Sequence, residues 1–182
     1  YQYLKPVFLN RQILRLAIPN IISNLSVPLL GAIDTAVVGR LEHVYYLGAI
    51  AVGSIIFDFI FWGFGFLRMG TTGLVAQAYG AKEDRKTRII LFRVLLVAAA
   101  SSLLILLIQY PLIEVSLYLV NASPEVEKYT RLYYHIRIFA APATLALFGL
   151  NGWFLGMQNS TYPMIVTIFL NLVNIVLNLI FV

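Results

Sequence analysis

The sequence predicts an all-α fold, a polytopic membrane helix bundle. Hydrophobic residues make up 60% of the 182 residues and charged residues only 12%, and the mean hydropathy is +0.86. A water-soluble domain carries about 25% charged residues, so the composition excludes that class. The net charge of +5 does not indicate nucleic-acid binding, because the basic residues lie between long apolar runs. The absence of cysteine excludes disulfides and thiolate metal sites.

Five segments are long enough to cross a bilayer, since a spanning helix needs about 20 mostly apolar residues. The predicted spans cover residues 13–38, 47–77, 89–109, 129–155 and 162–182. The second is expected to cross the membrane by about residue 67 and to continue as a helix. The apolar piece 112–120 is too short to cross, so we expect it at the interface or in a loop.

Loop charge predicts the orientation. One side of the membrane carries eight Lys or Arg residues and the other three: first Lys5, Arg11, Arg15, Lys82, Arg85, Lys86, Arg88 and Arg93, and then Arg40, Lys128 and Arg131. The side rich in basic residues is cytoplasmic, so we expect a cytoplasmic N-terminus. The start without Met and the end inside an apolar run suggest part of a longer protein, and nothing at the start resembles a signal peptide.

Asp34 is the most unusual residue of the first span, because ionisable groups in a membrane rarely face lipid. At 100° per residue, Asn20, Asn24, Gly31 and Asp34 fall within about 80° of one another. This polar face should line protein or water. One interpretation is a functional carboxylate; the other is a carboxylate that caps or braces a neighbour near the interface.

The fifth span has a matching polar face. Asn171, Asn174 and Asn178 are spaced three and four apart and stack on one side. On residue type alone, interhelical hydrogen bonding and a functional pocket are equally good interpretations. The second is favoured by depth, because Asp34 and Asn178 both lie toward the outer ends of their spans. An amide donates to a carboxylate and accepts from a carboxylic acid, so it suits Asp34 in either protonation state.

Three further residues are candidates. Pro19 removes a backbone hydrogen bond from the first span and can bend it, either as a static kink or as a bend that follows the charge on Asp34. Asp58 and Arg137 lie at compatible depths for an ion pair, which would be structural or part of a substrate site. The candidate cavity-lining residues are Asn20, Asn24, Asp58, Arg137 and Asn171.

The remaining chemistry points to transport. The sequence has no phosphate loop, no His-rich metal set and no nucleophile motif, so we expect neither an enzyme nor a cofactor nor a resident metal. A chain that is nearly all membrane with a polar inner face favours a transporter.

Several stretches resemble the multidrug and toxic compound extrusion (MATE) family, in its DinF-type branch. They are Leu16–Pro19, Val27–Arg40, Leu47–Gly53, Phe66–Ala81, Ile136–Arg137, Ala141–Ala143, Gly152–Gly156 and Asn174–Asn178. The resemblance implies a twelve-helix fold of two six-helix lobes, of which residues 1–182 would supply five helices of the N-terminal lobe, with the C-terminal lobe absent from this chain.

The family resemblance also implies a function and roles for residues. It implies a multi-pass protein of the bacterial inner membrane that exports amphipathic or cationic drugs in exchange for protons, with membrane lipid and the remaining C-terminal part as partners. Asp34 would carry the proton, Pro19 would bend in response, and Asn174 and Asn178 would complete the coupling site. Relatives often carry a carboxylate at the position of Asn178, so Asp34 would titrate alone and one proton per cycle is expected.

Three alternatives remain open at this point. The same fold can be driven by sodium bound at Asp34 instead of a proton. A lipid or lipid-linked-sugar flippase would need a strongly cationic cavity, for which Arg68 and Arg137 are the main candidates. A non-transporting membrane scaffold would tolerate changes at Asn20, Asn24, Asp34 and Asn178.

Overall fold

The computed structural model describes residues 6–39 and 43–181, and the side chains of these residues except at positions 6–12, 27, 34, 38 and 181. The described residues form helices and no strand. The α-helices are α1 (Pro6–Val38), α2 (Val44–Trp62), α3 (Phe66–Gly80), α4 (Asp84–Leu107), α5 (Gln109–Val120), α6 (Pro124–Arg137), α7 (Ala141–Gly156) and α8 (Thr161–Phe181). A 3₁₀ turn at Ile138–Ala140 joins α6 to α7.

Five helical stretches among the described residues are long and apolar enough to cross a membrane, as the sequence predicts. They are Ile13–Val37, Val44–Gly80, Asp84–Leu107, Pro124–Gly156 and Thr161–Ile180. Large exposed side chains such as Val44 and Trp62 suit a helix surrounded by lipid, where apolar groups need no burial in protein. The last predicted residue, Val182, lies outside the described residues.

Two predicted spans are interrupted. The second predicted span is two helices, because the backbone of residues 63–65, between α2 and α3, winds more tightly than an α-helix. There Phe64 donates to the Phe61 carbonyl and Gly65 to the Trp62 carbonyl, both at 3.0 Å. These i→i−3 bonds are 3₁₀ geometry, which the two glycines of this segment favour over a regular helix. The piece at 112–120 is itself helical, as part of α5.

The fourth predicted span is interrupted by proline chemistry. Pro142 has no N–H, so it cannot donate to the carbonyl of Ile138 four residues earlier. Instead the N–H of Ala141 bonds to that carbonyl. The carbonyl is satisfied within its own turn, and the chain passes from α6 to α7 through this 3₁₀ turn.

Residues 41–156 form one compact unit with an apolar core, in which α2 packs on α6 and α3 packs on α4 and α7. The core residues are Ile56, Phe57, Leu67, Ala98, Ile105, Ile113, Leu117, Tyr134, Ile138, Ala141 and Leu145. Close approach of α3 and α7 depends on glycine: a Cβ on Gly152 would lie 2.5 Å from the carbonyl oxygen of Arg68.

The second unit comprises residues 1–40 and 157–182, and in its described part α1 packs against α8. Helix α1 continues through Pro19 and Pro28. Before α8, the Asn159 side chain accepts the backbone N–H of Thr161 at 3.2 Å. This contact satisfies a first-turn donor and fixes where the helix begins.

Candidate functional site

Two hydrogen bonds set the register between α1 and α8. The Ser160 hydroxyl donates to the Arg15 carbonyl at 3.3 Å, and the Asn171 side-chain amide donates to the Ser26 hydroxyl at 2.9 Å. Both pairs are separated by 145 residues in the chain. The two helices therefore run in the same direction and stay in step between these contacts.

This register gives the relative heights of the predicted coupling residues. Counting on with the same separation, Asn174 is level with Leu29, and Asn178 is level with Ile33, beside Asp34 in the chain. The backbone of Asp34 belongs to α1, and its side chain lies outside the described residues. Asn178 is half-buried and donates from its amide to the Asn174 carbonyl oxygen at 2.9 Å. The two asparagines thus form one polar group on α8.

The polar residues of α1 have different partners. Asn20 donates to the Leu16 carbonyl of its own helix at 3.0 Å, and Asn24 is exposed. Ser26 instead accepts from Asn171 while its hydroxyl donates to the Ser23 carbonyl at 2.7 Å. Sequence reasoning selected the asparagines and missed Ser26. At 100° per residue Ser26 lies about 120° from Asn20, off the polar face of α1, so the helical pattern gave no signal for it.

Asp58 and Arg137 do not form the predicted ion pair. The Arg137 guanidinium lies 4.9 Å from the centre of the Phe57 ring and hydrogen-bonds to Ser54 at 3.4 Å, and also to the Tyr133 hydroxyl. Asp58 follows Phe57 and is therefore rotated by about 100° away from that face. The depth argument gave compatible heights but did not fix the rotation of α2.

Asp58 instead shares an open cavity with Arg68. The cavity has a volume of about 760 Å³ and is lined by Asp58, Phe61, Trp62, Gly65, Arg68, Met69, Thr72 and Phe148. The tightened segment 63–65 lies between the two charged residues in sequence. Sequence reasoning named Arg68 only as a candidate for a cationic cavity and did not place it in one cavity with Asp58.

No group of three or more His, Cys, Asp and Glu side chains suitable for a metal occurs among the described residues.

A family model named MatE matches residues 19–180, from Pro19 in α1 to Ile180 in α8. The chain belongs to the MatE family. The predicted resemblance to this family is therefore confirmed. The DinF-type branch is supported by the name of one relative.

That relative of the MatE chain is "DNA damage-inducible protein F" of Escherichia coli (strain K12). It is 45% identical over 163 residues, which cover 90% of this chain and 36% of the relative. "Multidrug resistance protein MdtK" of Edwardsiella ictaluri (strain 93-146) is 29% identical over 173 residues, or 94% of this chain and 37% of the relative.

A further MatE relative is "Probable multidrug resistance protein NorM" of Bacillus subtilis (strain 168), 25% identical over 175 residues, or 94% of this chain and 38% of the relative. The chain thus spans little more than a third of the length of these three relatives. No solved structure matches the chain at a significant level.

Two of the MatE-like stretches meet in the bundle. The stretch Phe66–Ala81 covers α3, and Gly152–Gly156 lies on α7. A Cβ on Gly156 would lie 2.6 Å from that of Val75. These stretches therefore contribute close helix packing, which explains Gly152 and Gly156, whereas a Cβ on Gly70 or Gly73 would meet nothing within 4 Å.

Glu114 of α5 lies outside the five spans and is paired with Arg131 of the fourth. Arg131 Nη2 lies 3.0 Å from Glu114 Oε2, and the guanidinium makes a second bond to the same carboxylate. The hydrogen bonds from Arg131 lower the pKa of Glu114 from its ordinary value of 4.5. This pair joins α5 to α6.

Proposed function

We propose that this chain is the N-terminal lobe portion of a multidrug efflux antiporter, which exports amphipathic organic cations in exchange for protons, with Asp34 as the proton-carrying residue. MatE membership supports the class of protein, and two relatives are named as multidrug resistance proteins. The proposal includes a second, C-terminal lobe, because the three relatives are far longer than the region they share with this chain.

The observation that carries the proposal is the register of α1 and α8. It brings Asn174 and Asn178 to the level of Leu29 and Ile33 of α1, and Ile33 precedes Asp34 in the chain. A protonated Asp34 needs an acceptor for its O–H, and an ionised Asp34 needs donors. An amide group supplies both, so a neighbouring asparagine stabilises either state without a second acid. This arrangement suits a carboxylate that must load and release a proton.

The proposal assigns no chemical step and no cofactor, since the proton gradient supplies the energy. The location is the bacterial inner membrane, with a cytoplasmic N-terminus. The loop charges support this orientation, because eight basic residues fall on the side of the N-terminus and three on the other. Sodium coupling, lipid flipping and a scaffold function are the competing functions, and the experiment below separates them.

The test uses the intact transporter in proteoliposomes with an imposed pH or sodium gradient. We expect the pH gradient to drive uptake of a fluorescent organic cation, and Asp34→Asn to reduce it to the rate of protein-free vesicles. The control is Asp84→Asn, the same chemical change at an exposed residue in the first turn of α4. It should transport at the wild-type rate.

Each contrary result identifies a different function. Transport driven by sodium and not by protons would replace the coupling ion. Movement of a labelled lipid in place of the cation would indicate a flippase. Wild-type transport by Asp34→Asn, at equal protein level in the vesicles, would show that Asp34 does not couple the cycle.

A further inference from the structure

Pro19 leaves one specific backbone group of α1 without its helical partner. In a regular helix the N–H of residue 19 would donate to the carbonyl of Arg15, four residues earlier. Proline has no N–H. A backbone carbonyl that is shielded from water is disfavoured without a donor, so the Arg15 carbonyl needs a donor from outside α1 wherever the neighbouring chain covers it.

The structure supplies that donor from the start of α8. The Ser160 hydroxyl lies 3.3 Å from the Arg15 carbonyl oxygen, and Ser160 is only 2% exposed. A buried hydroxyl needs a partner as much as the carbonyl does.

The second contact of α8 lies on the other side of Pro19. Asn171 binds Ser26, so α8 is bonded to α1 before the proline at Arg15 and after it at Ser26. Bending α1 at Pro19 changes the direction of one part relative to the other. Because α8 holds both parts, such a bend must break or displace one of the two contacts.

We propose that Ser160 is a positioning residue. Its hydroxyl holds the first part of α1 against α8 by binding the Arg15 carbonyl, which Pro19 leaves without a helical partner. This hydrogen bond breaks when α1 bends at Pro19. The inference rests on the proposed function and adds to it that α1 bends at Pro19 during the transport cycle. It adds the group that sets the resting geometry of the bend.

The test is a double-mutant cycle in the intact transporter, read by amide hydrogen exchange of residues 16–23. Ser160→Ala should speed exchange about fivefold, the change in an equilibrium constant that one ordinary hydrogen bond gives. In Pro19→Ala, the new N–H at position 19 reaches the Arg15 carbonyl. Ser160→Ala should then have no further effect, and Ser160→Thr, which keeps the hydroxyl, should exchange within about twofold of wild type. Equal acceleration in both backgrounds, or none in either, overturns the proposal.

Transport is measured on the same proteins. Ser160→Ala should lower the maximal rate about fivefold with an unchanged half-saturating concentration of cation, and Ser160→Thr should restore it. A full exchange effect with wild-type transport overturns the positioning role. If Ser160→Ala does not accumulate, adding Pro19→Ala should recover its level, and no recovery overturns the proposal. Wild-type transport by Asp34→Asn would refute the antiport function alone, because the exchange cycle does not depend on it.

Discussion

Pro19 and Pro142 create the same deficiency in two regions and are accommodated differently. At Pro142 the released carbonyl of Ile138 accepts the N–H of Ala141 within a 3₁₀ turn. At Pro19 the released carbonyl of Arg15 accepts the hydroxyl of Ser160, from a segment 145 residues away in the chain. The replacement hydrogen bond near Pro142 lies within one turn, so its geometry does not depend on neighbouring helices. The one near Pro19 makes the geometry of α1 depend on α8.

The side chains that surround the two prolines also differ. The buried apolar cluster belongs to residues 41–156, and Ile138 and Ala141 beside Pro142 are members of it. The contact between α1 and α8 includes side-chain hydrogen bonds at Arg15 and Ser26. Apolar packing resists small displacements at every atom, whereas a hydrogen bond can exchange partners.

The largest effect is expected from breaking the close packing of the bundle. Gly152→Ala places a Cβ 2.5 Å from the Arg68 carbonyl oxygen and 3.0 Å from the Thr71 Cβ. Because a backbone atom cannot rotate away, α3 and α7 must separate, which costs about 1–3 kcal/mol. The measurement is the midpoint of thermal unfolding in detergent. The matched control is Gly73→Ala, where a Cβ meets nothing within 4 Å; an equal loss there would contradict the packing argument.

The comparison of the two prolines is tested by replacing each with alanine. Pro19→Ala supplies α1 with the missing N–H and releases it from its dependence on Ser160, so we expect the maximal transport rate to fall about tenfold, equivalent to about 1.4 kcal/mol. Pro142→Ala changes a turn that is already satisfied locally, so transport should stay within about twofold. The reverse order of the two effects would show that the bend of the cycle lies between α6 and α7.

The five spans were predictable because they follow from the length and hydropathy of each segment. The partners of the polar side chains were not predictable. Asn171 binds Ser26 and not an asparagine of α1, and Arg137 lies over Phe57 and not beside Asp58. A partner depends on the rotation and register of two helices, which the hydropathy of one helix does not contain.

The helix breaks show a second limit of the same reasoning. Hydropathy runs without interruption across residues 63–65 and 138–140, so the sequence predicts single spans there. The breaks arise from backbone hydrogen bonding at Gly63, Gly65 and Pro142, which hydropathy does not describe. Pro19 predicted one missing backbone hydrogen bond in the first span, but only the structure shows that the Arg15 carbonyl accepts from Ser160.

A smaller effect is expected at the second contact of the helix pair. Asn171→Leu removes the bond to Ser26, and interhelical hydrogen bonds in membranes contribute about 0.6 kcal/mol on average. Thermal unfolding of Asn171→Leu, Ser26→Ala and the double variant measures this contact. We expect the double variant to lose less than the sum of the single losses. Strict additivity would mean that the two side chains contribute independently. Of the hydrogen bonds at Ser160 and at Asn171, only the one at Ser160 would then hold α1 against α8.

The smallest effect is expected at Glu114 and Arg131, a pair outside the α1–α8 contact. Arg131 lowers the pKa of Glu114 in the folded protein, so the ionised carboxylate stabilises the fold at pH values above its ordinary 4.5. This contribution is lost as the pH falls through the lowered pKa. The side chains are 61% and 37% exposed, and such pairs contribute little.

Glu114→Gln should therefore lower the unfolding midpoint slightly at pH 7 and leave it unchanged at the acid end of the titration, where Glu114 is protonated in both states. Glu125→Gln is the matched control, because Glu125 lies in the first turn of α6 and is also exposed, and no pairing with arginine is expected there. A constant difference between Glu114→Gln and wild type across the whole pH range would show that the pair acts through packing and not through charge. In that case the α5–α6 contact would belong with the apolar frame of the bundle.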